Sequence, residues 1–205
     1  MSKVIQEHYQ SLYEQHGRSH AAVQYSSRAS QIKRYEILLD VAPTYTSLAD
    51  VGCGLGELLP VLRELAPDCH YQGYDFVESF LDDATAYYRT DNNAQFSHLD
   101  ILKQTIPDPA EYVVLSGILN NKMDNNAQFT EVTLRKMWQA ASKGIAFNAL
   151  STYVDYQDEG LCYHDPLELF HFCKTQLSPY VTLRHDYDVK ADSIPFEFTM
   201  YVYKP

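Results

Sequence analysis

The sequence predicts an α/β fold: a doubly wound, mostly parallel sheet with helices on both faces and an antiparallel hairpin at its C-terminal end. Strand-like and helix-like segments alternate after residue 45, the pattern of successive strand–helix–strand units. Residues 145–150 are nearly continuous in apolar character, as a parallel strand covered on both faces should be. Residues 196–203 instead alternate, with Phe196, Phe198, Met200 and Val202 against Glu197, Thr199 and Tyr201. That period of two marks a strand, expected to pair with residues 180–187 as an antiparallel edge.

Residues 3–16 and 27–40 read as helices, the second with Ile32, Tyr35 and Leu39 on one side and Pro43 as its stop. Residues 1–45 are thus expected to form a helical lead before a 46–205 α/β unit, within one globular domain overall. The first strand, 47–51, runs into a glycine-rich turn. Helix 55–66 follows, with Leu58, Leu62 and Leu65 in one stripe and Pro60 near enough to the first turn to be tolerated. Strand 70–75, a helix at about 77–89, strand 96–101 and strand 112–120 come next. A helix opening at 124–127 repeats Leu134, Met137, Trp138 and Ala141 at helical spacing before the apolar strand at 145–150. Residues 151–165 are polar, aromatic and loop-like. Asp165-Pro166 then starts a helix by an N-cap followed by proline at the first position.

Composition narrows the function. The formal charge is −11, from 16 basic and 27 acidic residues, and no basic run exceeds Lys33-Arg34 or Arg135-Lys136. Such a balance opposes a phosphate backbone, so no nucleic-acid partner is expected. The 17 tyrosines and 9 phenylalanines argue against disorder. Cys53, Cys69, Cys162 and Cys173 show no C-x-x-C spacing and follow no secretory signal, so a reducing, cytoplasmic location is expected. No apolar stretch approaches the roughly 18 residues of a membrane span. Cys162, His171 and Cys173 lack metal-ligand spacing, and no metal is expected.

The chemistry concentrates at Asp50-Val51-Gly52-Cys53-Gly54-Leu55-Gly56. Glycines at a strand-to-helix turn let the backbone turn tightly and lie against a ligand. The spacing is Gly52-x-Gly54-x-Gly56 rather than G-x-G-x-x-G, and Asp50 stands beside it. An acid there repels a pyrophosphate but suits an ammonium group, such as the methionine end of S-adenosylmethionine. Asp75 ends the second strand 19 residues after Gly56, where a carboxylate can accept from both ribose hydroxyls. Asp100 and Ile101 close the third strand and suit an adenine amino group and an adenine face.

With these motifs the chain resembles the class I S-adenosylmethionine-dependent methyltransferases over roughly residues 46–204. The resemblance implies a Rossmann-like, seven-stranded sheet and S-adenosyl-L-methionine as cofactor. It also implies that the loop Gly52, Cys53, Gly54 and Gly56 supports the methionine moiety, that Asp75 binds ribose, and that Asp100 with Ile101 flanks adenine. Phe76 would stack beside the ribose or base, and Ser116 in the fourth strand would lie at the mouth between cofactor and acceptor. That strand lacks the Asn-Pro-Pro-Tyr or Asp-Pro-Pro-Tyr of amino-methylating nucleic-acid enzymes and the double-Glu segment of protein arginine methyltransferases.

Transfer from a sulfonium needs chiefly an acceptor held close and in line. A small-molecule acceptor is expected. The alternatives are a protein methyltransferase, or a non-catalytic S-adenosylmethionine-binding partner or regulator. In related enzymes the N-terminal segment often covers the site as a lid; Tyr9, Tyr13 and Tyr25 would then face the ligand, or else simply pack. Arg28 and Arg34 would anchor an acidic acceptor, or lie solvated on a helix face. Asn120 and Asn148, at strand ends, would orient an acceptor polar group or cap loops. For an acceptor that still holds its proton, His164 is the candidate general base, against a role in supporting the N-cap beside it.

Overall fold

A computed structural model describes residues 3–205; the first two residues of the expected lead lie outside them. Two helices, α1 (Lys3–His16) and α2 (Arg28–Leu39), precede the sheet. Then come β1 (Ser47–Val51), α3 (Leu58–Leu65), β2 (His70–Asp75), α4 (Glu78–Tyr87), β3 (Ala94–His98) and β4 (Ala110–Leu115). The chain continues through a 3-10 turn (Ile118–Asn120), α5 (Asn126–Ala140), β5 (Ala141–Leu150), α6 (Pro166–Gln176), β6 (Tyr180–Arg184) and β7 (Glu197–Tyr203). The seven strands lie in the order β3-β2-β1-β4-β5-β7-β6. Pairs among β1 to β5 are parallel, and β7 runs antiparallel to both β5 and β6. The order reverses between β1 and β4, the switch point at whose carboxyl ends open α/β sheets bind ligands.

Side chains alternate across the strands and build a core on each face. On one face Leu48, Tyr71, Val114, Ala146 and Tyr201 pack with Leu38 of α2 and Leu62 of α3. On the other, Val113, Leu115, Ile145, Phe147 and Met200 pack with Leu134 and Met137 of α5 and Cys173 of α6. In α3, Leu59 joins Leu58 and Leu62 in the core, whereas Leu65 is 59% exposed. Leu65 falls at the last residue of α3, which starts three residues later than expected, after a turn in which Gly52, Gly54 and Gly56 all have positive φ.

Several boundaries differ from the expected ones. β4 ends at Leu115 rather than 120, because Gly117 adopts φ 85° and opens the 3-10 turn. β3 ends at His98, and Asp100 instead holds a turn by accepting from the Leu102 N–H at 3.1 Å. Ala141 is not the last member of the α5 stripe; it turns extended (φ −81°, ψ 139°) and opens β5. β7 is inserted between β5 and β6, so β6 alone forms that edge. This placement explains why Glu197, Thr199 and Tyr201 are buried despite their polarity. Glu197 pairs with Arg34, Thr199 bonds the Tyr187 hydroxyl, and Tyr201 donates to the Ile37 carbonyl.

Candidate active site

A cavity of about 740 Å³ opens at the carboxyl ends of β1, β2 and β4, roofed by α1 and walled by α2. The glycine turn forms its floor. Gly52 and Cys53 both donate their N–H to the Tyr74 carbonyl, at 2.7 and 3.0 Å, which folds the turn back onto β2. At Gly52 (φ 74°) a Cβ would come within 2.4 Å of Ile118, and at Gly54 (φ 53°) within 2.9 Å of Val23. Both positions therefore require glycine twice over, for the left-handed backbone and for the close approach.

Two buried acids face this turn. Asp50 accepts from the Tyr71 hydroxyl at 2.8 Å. Burial lifts its carboxyl to about 7; Tyr71 opposes the rise and the neighbouring Asp75 adds to it. Asp75 accepts from the Gly54 N–H at 2.8 Å and the Val77 N–H at 2.9 Å, one on each oxygen. Burial raises its carboxyl too, against those backbone donors. Phe76 and Phe80 supply apolar walls beside Asp75, and Tyr9 of α1 packs edge-on against both.

The other end of the cavity is polar. The Tyr25 hydroxyl shares a hydrogen bond with Ser116 Oγ (2.9 Å), which accepts from Asn148 Nδ2 (3.0 Å). Asn148 Oδ1 in turn accepts from the Gly117 N–H at 2.9 Å. Asn148 therefore stands behind Ser116 as a support, while Tyr25, Ser116 and Gly117 line the space. Asn120 also lines it and accepts from the Leu150 N–H at 3.0 Å. Tyr9 donates to Asn121 Oδ1 at 3.1 Å, and its phenol is pushed up to about 12 by burial.

Asp50, Gly52, Cys53, Gly54, Asp75, Phe76, Ser116, Tyr25 and Asn120 thus converge on one space. Other expected members do not reach it. Gly56 packs against Phe96 and Tyr88, below the turn. Ile101 is buried in the α5-side core, and Asp100 is drawn into its own turn and pairs with Lys103 at 3.1 Å. The Tyr13 hydroxyl donates to Asp83 at 2.7 Å on the outer side of α4, and Arg28 is exposed, paired with Glu57 at 3.0 Å. His164 is also outside the cavity. Its Nε2 donates to the Leu119 carbonyl at 3.1 Å and burial lowers its pKa, so it pins the 151–165 loop to the 3-10 turn. Gln31, Arg34 and Tyr35 line the α2 wall together. Their signal was the spacing i, i+3, i+4, which puts two polar residues on the same face as Tyr35.

The sequence model described as a methyltransferase domain matches residues 49–144. A Mycobacterium tuberculosis (strain ATCC 25618 / H37Rv) protein provisionally named methyltransferase Rv1506c is 33% identical over 164 residues, covering 77% of this chain and 93% of that protein. Among solved structures, magnesium protoporphyrin IX methyltransferase (ChlM) from Synechocystis PCC 6803 with bound SAH superposes with a TM-score of 0.66. It is 10% identical, over 99% of this chain and 95% of that one. The N-methyltransferase NodS from Bradyrhizobium japonicum WM9, in complex with S-adenosyl-L-homocysteine, gives 0.67 at 12% identity, over 96% and 98%. These two likenesses establish the shared fold. Glycine turn, buried acids, strand order and the mycobacterial relative together place this chain in the class I S-adenosylmethionine-dependent methyltransferases.

Proposed function

We propose that the chain transfers a methyl group from S-adenosylmethionine to a small-molecule acceptor by in-line displacement. The observation that carries this reading is one cavity with two characters: buried acids beside a glycine turn at one end, hydroxyl and amide groups at the other. Its volume falls within the roughly 300–1,000 Å³ of small-molecule sites. The fold neighbour named for magnesium protoporphyrin IX supports a small acceptor, and the bound SAH in both neighbours supports the cofactor.

The residues fit the cofactor. Among the described residues Asp50 forms no ion pair, and it would take an ammonium group, which restores its ionised form. Each Asp75 oxygen accepts one backbone N–H and keeps a lone pair for a ribose hydroxyl. Phe76 and Phe80 would cover the apolar faces. When bound, the sulfonium supplies a methyl group that is already activated. The chain's own task is then to hold the acceptor and exclude water. Tyr25, Ser116 and Asn120 would orient the acceptor's polar group, and α1, the lid in this reading, would close the cavity.

The test uses methyl-labelled S-adenosylmethionine with the ultrafiltered small-molecule fraction and, separately, the protein fraction of a cell extract. Label in low-mass products is the expected result. Label confined to protein overturns the small-acceptor reading. Absence of label in either fraction, with cofactor binding demonstrated, indicates a non-catalytic binding protein.

A further inference from the structure

Arg34 projects from α2 into the cavity wall with 9% of its surface exposed. Its Nε donates to Glu197 Oε2 at 2.6 Å and its Nη1 to the Ser30 carbonyl at 3.2 Å. Nη2 enters no hydrogen bond among the described residues, and it is not among the side-chain atoms sealed without a partner. A guanidinium held on two sides with the third left open is a preorganised donor for an oxyanion. The surroundings favour that charge. The guanidinium lies 5.3 Å from the Tyr25 ring and 5.9 Å from the Phe196 ring. Lys190 approaches the same Phe196 ring at 5.5 Å, lines the same cavity and forms no ion pair among the described residues.

The nearby acids do not occupy the open side. Glu197 is engaged by Nε, and Asp158, also in the cavity wall, accepts from the Gly160 N–H at 2.7 Å. A buried Arg–Glu pair is a poor device for stability alone, since desolvation offsets its attraction. Here it leaves a cation facing a ligand space. Tyr35, one residue along the helix, is close enough to both Tyr25 and Asp50 for their charges to raise its phenol further after burial has done so. Arg34 of the α2 wall and Asp50 of β1 line the same cavity, so one space holds the opposite charges that a zwitterion requires.

We infer that Arg34 is a carboxylate-binding residue of this cavity, which rests on the reading of the cavity as an adenosyl-ligand and acceptor site. The carboxylate has two sources, the amino-acid end of the cofactor or an acidic group on the acceptor. Three probes separate them: S-adenosylhomocysteine; 5′-methylthioadenosine, which lacks the amino-acid end; and benzoate titrated into protein saturated with S-adenosylhomocysteine. Wild type is compared with Arg34→Lys, which keeps a cation against Glu197 but removes Nη2. The double variant Arg34→Gln, Glu197→Gln removes both buried charges together and guards against misfolding, which methylthioadenosine binding reports independently.

Loss of S-adenosylhomocysteine affinity by tenfold or more with methylthioadenosine affinity unchanged assigns Arg34 to the cofactor's carboxylate. Unchanged affinity for both, with benzoate binding present in wild type and lost in the variants, assigns it to the acceptor. Equal effects on both adenosyl ligands, or no effect on any probe, overturns the inference. Failure of wild type to bind either adenosyl ligand instead removes the functional reading beneath it.

Discussion

Asp50 and Asp75 end neighbouring strands, and both are buried against one turn. For Asp50 the sign of the pH effect follows from its raised carboxyl, at about 7 against an ordinary 3.8. Between those values the folded protein holds a proton that the unfolded chain has released, so this group's contribution to stability falls as pH rises through the window. Asp50→Asn has no such proton. Its ligand-free stability is expected to gain on wild type between about pH 4 and pH 7, read from urea midpoints at each pH. Affinity for S-adenosylmethionine should show the reverse, rising with pH through about 7 in wild type and flat in the variant. Parallel curves for the two proteins would contradict the placement of Asp50. The two acids and the glycine turn were legible in the sequence because all lie within a few residues of strand ends. Tyr13, Arg28, Asp100 and His164 do not line the cavity, because their placement depends on partners remote in sequence or on where a strand stops. Asp83, Glu57 and the Leu119 carbonyl draw three of them away, and the early end of β3 displaces the fourth.

At the scale of elements, α1 has no fully buried residue. It lies on Phe76 and Phe80 through Ile5, Tyr9 and Tyr13, which are only partly covered. Arg18, just beyond it, supplies the firmer attachment. Its guanidinium bonds Asp83 of α4, Glu57 (2.7 Å) and the Leu55 carbonyl (2.8 Å), and it lies 3.9 Å over the Tyr87 ring. Arg18→Ala leaves two largely buried carboxylates without their shared cation and should cost about 1–3 kcal/mol. Hydrogen exchange should accelerate through α1 while the amides of β1 and β4 stay protected; uniform acceleration would show that α1 is not separately detachable. At α6 the Asp165 carboxylate accepts from the Leu167 N–H at 2.7 Å, so Asp165→Ala should lower stability by about 1 kcal/mol in a denaturant titration. That cap, and the ends of β2, were written in local chemistry. The insertion of β7 between β5 and β6 was not, since alternation in 196–203 reports two unlike faces and not which strand lies beyond.

Over the whole molecule, a formal charge of −11 coexists with a cavity whose wall carries Arg34 and Lys190. The overall field opposes polyanions, and because Asp50, Asp75 and Asp158 line the same cavity, the acidic group proposed above would be held by Arg34 locally and not by the field of the cavity. Among the described residues no helix is long and apolar enough to cross a membrane. The doubly wound topology was legible from strand–helix alternation alone, whereas the cavity required the fold: α1, α2 and the 3-10 turn come from three separate stretches. The central claim is that this cavity takes an adenosyl ligand through Asp75. Its most direct test is thermal unfolding with S-adenosylmethionine, S-adenosylhomocysteine or NAD, using Asp75→Ala as control. At about 100 times Kd, each adenosyl ligand should contribute roughly 2.7 kcal/mol, a rise of about 5–11 °C for a domain of this size. The expected result is that rise for both adenosyl ligands, none for NAD, and its loss in Asp75→Ala. A shift with NAD and none with the adenosyl ligands would contradict the assignment of the glycine turn and its acids.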